Sequence, residues 1–161
     1  MKAFEGKTAL VTGASRGLGQ AIAVELGKQG AKVIATARTQ GGLEETDDMI
    51  VAAGGEPATL LALDLKDTAP LANLPGQLVS RFGGLDILVG CAAFLGELSP
   101  TAHSKMQTFD DVMAVNLRAN LALIQALDSL LRKAEAGRAM FMTCEQATKA
   151  KAFWGAYSAS K

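Results

Sequence analysis

Between a short apolar run, Lys7 to Thr12, and an amphipathic stretch that begins at Gly17 stands the segment Thr12-Gly13-Ala14-Ser15-Arg16-Gly17-Leu18-Gly19. A strand that must turn at once into a helix has few ways of doing so, and this spacing of glycines suits a particular one. Gly13 permits the tight turn, Gly17 lets backbone approach a pyrophosphate, and Gly19 allows close packing of helix on strand. The helix N-terminus offers unpaired N–H groups and a partial positive charge to the same phosphate. Glycines also serve turns alone, so the triplet draws its weight from lying after a strand and before a helix.

Short apolar runs alternate with longer amphipathic segments through the rest of the 161 residues, of which 49% are hydrophobic. A chain of that size buries one core and little more, so residues 1–161 are read as a single domain. Lys7 to Thr12 reads as a first strand, Gly17 to Gln29 as a helix, and Lys32 to Thr36 as a second strand after the stop signal at Gly30. Leu43 to Ala53 follows as helix, Ala58 to Leu63 as strand, Leu71 to Phe82 as helix and Asp86 to Val89 as a fourth strand. Gly96 to Ser104, with Pro100, is a loop. Met106 to Arg132 spaces Phe109, Val112, Met113, Leu117, Leu121, Ile124, Leu127 and Leu131 at helical intervals, which predicts one long amphipathic helix. Ala139 to Thr143 gives a fifth strand, and Phe153 to Lys161 opens a last helix. Alternation of this regularity is an α/β pattern.

Formal charge balances to zero and no Lys/Arg-rich run occurs, so neither a nucleic acid nor an anionic membrane surface is the expected partner. A small molecule is. The first residues carry no apolar stretch of signal-peptide length, and no segment approaches the roughly 20 apolar residues that span a bilayer. A cytoplasmic protein is expected. Cys91 and Cys144 lack CxxC spacing and His103 is the single histidine, so no metal site and no disulfide framework are expected. His103 falls in a polar loop and is read as solvated.

The end of the second strand selects between dinucleotides, because a carboxylate there binds a ribose diol and repels a 2′-phosphate. The sequence here is Ala35-Thr36-Ala37-Arg38, without an acid, and Arg16 and Arg38 both present forked, permanently charged donors. NADP(H) is expected over NAD(H). Tyr157 and Lys161 stand four apart, so a helix from about Trp154 sets both on one face. The ammonium is expected to favour the phenolate and lower a pKa that is ordinarily about 10, making the tyrosine a proton donor to a carbonyl oxygen or, in reverse, a base.

The Thr-Gly-x-x-x-Gly-x-Gly loop, Arg38, Asp64-Leu65, Asn116 in Val115-Asn116-Leu117 and Tyr157-Ser158-Ala159-Ser160-Lys161 resemble, in order and spacing, the short-chain dehydrogenases/reductases, and the stretch through Arg38 looks most like their 3-oxoacyl-carrier-protein reductase branch. The resemblance implies a Rossmann-type, doubly wound parallel sheet and hydride transfer between NADP(H) and a carbonyl or alcohol substrate. It makes Gly13, Ser15, Arg16, Gly17, Leu18, Gly19, Arg38, Asp64, Leu65, Ala92, Asn116, Tyr157 and Lys161 the expected cofactor contacts. Asp64 would bind the adenine amino group with Leu65 beside the ring; on the residues alone Asp64 serves equally as a cap or turn residue. Lys161 would also bind the nicotinamide ribose, and Asn116 would help hold a water linking it to solvent. Full-length members are expected to form homo-oligomers, and the long helix's stripe is core or part of a helix-helix contact.

Three features depart from the pattern. Thirteen residues before Tyr157, where the family has a substrate-orienting serine, stands Cys144, a weaker donor with a larger atom. Thr143 next to it faces the other way on a strand, and Cys144 itself is read as a buried, inert thiol. Cys91 and Ala93 replace the amide and the glycine of an Asn-Asn-Ala-Gly-like turn, which is expected to weaken stability or cofactor fit. The sequence stops at Lys161, so the sheet is expected to be incomplete on its C-terminal side, with the fifth strand as an exposed edge and the last helix short of the roughly 12–15 residues at which helices persist alone. Beside the oxidoreductase reading stand a non-catalytic NADP(H)-binding fragment or partner subunit and, behind it, a degenerate product without stable function.

Overall fold

The computed structural model describes residues 2–161. Five strands, β1 (Thr8–Thr12), β2 (Lys32–Ala37), β3 (Thr59–Ala62), β4 (Ile87–Gly90) and β5 (Arg138–Phe141), form one sheet in the order β3-β2-β1-β4-β5, parallel throughout. Successive residues of a strand face opposite sides, so a sheet covered on both faces needs apolar residues at every position. The five residues of β1 are all buried. Ala9 and Val11 pack with Val33, Ala35 and Val89 under helices α1 (Gly17–Lys28) and α2 (Gln40–Ala52), through Ala23, Leu26, Leu43 and Ile50. Leu10, Ile34 and Leu88 face the other way, onto Leu74 and Leu78 of α3 (Leu74–Phe82) and Leu123, Leu127 and Leu130 of α5 (Ala119–Lys133). Helices on both faces make the sheet doubly wound, and the strand order reverses between β1 and β4, which opens a crevice at their C-terminal ends.

The boundaries hold to within a few residues except in two helices. The expected helix from Leu71 begins with a 3₁₀ turn, Ala69–Asn73, before α3. The expected long helix is interrupted: α4 (Met106–Met113) passes through a π-turn at Ala114–Arg118 into α5. A π-turn inserts a residue and rotates everything after it about the axis. The expected stripe is also split between two faces. Val112 and Leu127 are fully buried, whereas Leu117, Leu121 and Ile124 lie exposed and Ala119, Leu123 and Leu130 take their place in the core. The last helix, α6, runs only from Gly155 to Ser160. Among the described residues β5 forms one edge of the sheet, and no helix is long and apolar enough to cross a membrane.

Candidate active site

At the crevice, Gly13, Ser15, Arg16, Leu18 and Gly19 form one wall, Arg38, Asp64 and Leu65 a second, and Cys91, Ala92, Ala93 and Phe94 a third. The sequence-predicted cofactor contacts on β1, β2, β3 and β4 thus converge on a single cleft. Gly17 lies just outside its lining, with φ +60° and open space where a Cβ would stand.

Two glycines are required by close approach. A Cβ on Gly13, itself at φ +66°, would stand 2.8 Å from the backbone N and Cα of Ala92, and one on Gly19 would run into the Gly13 carbonyl. The glycine loop is pinned by groups that the spacing did not mark. The Thr12 hydroxyl accepts from the backbone N–H of both Cys91 and Ala92, each at 3.1 Å, joining the end of β1 to the end of β4. The buried Thr46 hydroxyl, from α2, stands 2.8 Å from the Ala14 carbonyl and 2.9 Å from that of Gly42, and accepts from Gln20 Nε2.

Helix α1 opens at Arg16 without a side-chain cap and without an acid in its first turn, so its leading N–H groups and dipole are free for an anion. Arg16, at the head of that helix, and Arg38 are exposed and both line the cleft, and among the described residues neither enters a salt bridge. Asp64 fills the turn role as well as lining the cleft: its Oδ1 accepts from the Lys66 N–H at 3.0 Å.

Asn116 is buried in the π-turn, the distortion that turns its side chain toward two other elements. Its Oδ1 accepts from the Phe94 N–H at 2.7 Å, and its Nδ2 donates to the Phe94 carbonyl at 3.0 Å and to Ser160 Oγ at 2.8 Å. Asn120 Nδ2 donates to the Asn116 carbonyl at 2.7 Å. The loop after β4, the kinked helix and α6 are thereby joined. Asn120 and Thr46 carry this framework although no motif included them, and Thr12 and Ser160 carry it from within motifs whose reading gave them no role.

Tyr157 and Lys161 share a face of α6, with Lys161 Nζ 5.7 Å from the tyrosine ring centroid. The ammonium donates to the Met142 carbonyl at 2.9 Å, and the Thr143 hydroxyl donates to the Lys161 carbonyl at 3.2 Å, so Thr143 is committed to tethering α6. The expected pKa direction is corrected here. Burial, with charge at Cys144 as the second cause, raises the Tyr157 phenol above its ordinary value. Burial in turn lowers Lys161, with Cys144 and Cys91 acting against it. Burial raises the Cys91 thiol, offset in part by Lys161. Cys144, expected to be buried, is half-buried beside this pair, in extended backbone just past β5. His103 is exposed in a short turn far along the loop, and among the described residues no group of His, Cys, Asp and Glu is placed to hold a metal ion.

The model of the short chain dehydrogenase family matches residues 7–161. The ketoacyl reductase HetN of Nostoc sp. is 35% identical over 162 residues, covering 100% of this chain and 55% of that protein. The 3-oxoacyl-[acyl-carrier-protein] reductase FabG of Escherichia coli is 34% identical over 158 residues, covering 98% and 63%. The chain thus spans about three-fifths of the length of such curated relatives, from 55% to 63% in these two. A short chain dehydrogenase from Pseudomonas syringae superposes with a TM-score of 0.94 at 34% identity, over 99% of this chain and 66% of the other. One from Shigella flexneri, solved with NADP, superposes at 0.94 with 32% identity, over 99% and 68%. A match that runs through the glycine loop, Asn116 and the Tyr157–Lys161 pair alike, on a backbone this close, leaves one assignment: the chain belongs to the short chain dehydrogenase family of oxidoreductases.

Proposed function

We propose that this chain binds NADP(H) along the ends of β1 to β4 and serves the reduction of a carbonyl, or the oxidation of the corresponding alcohol, at Tyr157. The observation that carries the reading is the uncapped, acid-free terminus of α1, with Gly13 and Gly19 packed too tightly for any Cβ and the exposed Arg16 and Arg38 lining the same cleft. That set suits a pyrophosphate at the helix and a further phosphate on the adenosine ribose. NADP(H), when bound, supplies or takes up the hydride. Tyr157, held protonated, donates to the carbonyl oxygen in reduction. Lys161 stabilises charge that develops on the phenol oxygen, and Asn116 holds α6 against the loop after β4. Cys144 occupies the position from which a hydroxyl would orient the substrate oxygen. The exposed stripe Leu117, Leu121 and Ile124 suits contact with a second copy of the chain.

Titration with NADPH and NADH, followed by nicotinamide fluorescence, tests the reading. Saturable binding with NADPH preferred, and the preference lost in the Arg16→Ser/Arg38→Ser double variant, is the expected result; absence of binding, or equal affinity for the two, overturns it. Cys144 favours a second reading, a cofactor-binding chain without turnover. Binding with no NADPH oxidation by any carbonyl compound would select it.

A further inference from the structure

Phe153 is the one non-glycine residue among those described with a positive φ, +71°. A bulky aromatic there is strained, and such strain persists only where the surroundings enforce it, commonly beside active sites and ligand clamps. The enforcement is visible: the Phe153 carbonyl accepts from the Ser99 N–H at 3.2 Å, and the Trp154 N–H returns to the Lys151 carbonyl at 3.2 Å. The strain is not compensated by core packing, since Phe153 remains 56% exposed. The next residue, Trp154, sets its ring edge-on to Tyr157, with centroids 5.8 Å apart. From the facing loop, Leu95 and Leu98 are also exposed. Of the charged groups on these segments, Lys105 pairs with Glu97 at 3.3 Å and Lys149 with Glu145 at 2.7 Å, while the Lys151 ammonium lies over the Trp154 ring at 4.3 Å.

We infer that Phe153 is a specificity-determining residue, held in the left-handed conformation to present its ring to a carbonyl substrate bearing an aromatic or bulky apolar substituent. This rests on the reading of Tyr157 as the proton-exchanging residue. Exposed apolar side chains on the two segments joined by the Ser99–Phe153 bond, next to the Trp154 ring that meets Tyr157, reward burial of a ring. The same geometry explains why a strained residue is tolerated at an exposed position where glycine would be free of strain.

The test uses the full chain saturated with NADP⁺, so that ketone binding is read without turnover. Trp154 is the only tryptophan, and its emission reports the site. Three neutral or charged probes are compared: a phenyl ketone, a small aliphatic ketone, and a keto acid. The phenyl ketone is expected to bind tightest, and Phe153→Gly to weaken it about ten- to a hundredfold, the range of a lost apolar pocket contact, with NADP⁺ affinity unchanged. Phe153→Asn, which tolerates the backbone angle but lacks the ring, should match the glycine variant, and Phe153→Tyr should restore binding. Thermal midpoints of the glycine variant should equal or exceed the parent's, because strain is relieved. Equal affinity for the three ketones, or a phenyl ketone affinity indifferent to Phe153→Gly, overturns the inference alone. So does a glycine variant that loses NADP⁺ binding and thermal stability together, since that marks a packing role. Failure of the parent chain to bind NADP⁺ overturns the cofactor reading and this inference with it.

Discussion

In the proposed reaction Cys144 presents a thiol where a hydroxyl would donate to a developing oxyanion, and the neighbouring Thr143 hydroxyl is already committed to the Lys161 carbonyl. Losing one such donor costs about 2.7–4 kcal/mol of transition-state stabilisation, so Cys144→Ser is expected to raise NADPH-dependent turnover about a hundredfold or more, with NADPH affinity unchanged. Steady-state kinetics and a cofactor titration on one preparation separate the two; a gain in affinity without a gain in turnover would remove Cys144 from the reacting end. Charge at Cys144 is also the second cause, after burial, of the raised Tyr157 pKa. The chain has a single tyrosine, so phenolate absorbance follows Tyr157 alone, and its midpoint should lie above the ordinary value of about 10. In Cys144→Ser it should move down without reaching that value. A folded-state pKa that is raised contributes stability that is fully present below the unfolded value and is lost as pH rises through the folded one. That loss grows with the size of the shift, so alkaline unfolding should begin at slightly higher pH in Cys144→Ser. An unmoved phenolate midpoint would assign the whole shift to burial.

At the scale of elements, the glycine loop keeps its shape because α2 holds it. Thr46, fully buried, bridges the Ala14 carbonyl, its own helix at Gly42 and the Gln20 side chain. Thr46→Val keeps the volume but strands two partners, which costs about 1–3 kcal/mol. Its thermal midpoint should fall and its NADPH affinity with it, whereas Thr46→Ser should retain most of both; normal NADPH binding by the valine variant would detach α2 from the loop. This support was not legible in the sequence, because Thr46 reaches a carbonyl 32 residues away and no local pattern encodes that pairing. What was legible is what local physics fixes: strands that must be apolar on both faces, a glycine loop between β1 and α1, and Tyr157 and Lys161 one helical turn apart. The burial phase of the long helix was not, because its apolar positions mark two faces at helical spacing, Val112, Leu123, Leu127 and Leu130 on one and Leu117, Leu121 and Ile124 on another, and spacing alone does not say which is buried. The sign of the Tyr157 shift was misread because spacing brings Lys161 to the ring but does not show the burial of the phenol, which is the larger influence.

For the molecule as a whole, the cleft lies where the two halves of the sheet diverge, with β1, β2 and β3 winding away on one side and β4 and β5 on the other. At the cleft end Thr12 bridges the two halves by its side chain, to Cys91 and Ala92. A ligand laid across the Gly13–Gly19 loop and the Arg38, Asp64 and Ala92 walls touches both halves at once, and it does so only in the folded state. Such a ligand stabilises by mass action, about 2.7 kcal/mol at a hundredfold excess over its dissociation constant. For a chain of this length each kcal/mol moves the thermal midpoint by about 2–4 °C, so NADPH at that excess should raise it by roughly 5–11 °C. The shift should be smaller with NADH at the same concentration, because the arginine contacts act only on the additional phosphate. Replacing both Arg16 and Arg38 by serine should reduce the NADPH shift to the NADH level and leave the NADH shift in place, which scanning calorimetry on the two proteins would resolve. Equal shifts for both dinucleotides in the parent chain would mean that the arginines solvate the rim and that selectivity, if any, lies elsewhere. The loss of both shifts in the double serine variant would instead give the guanidinium groups a part in holding the pyrophosphate, since Arg16 sits at the head of α1 where that group would rest.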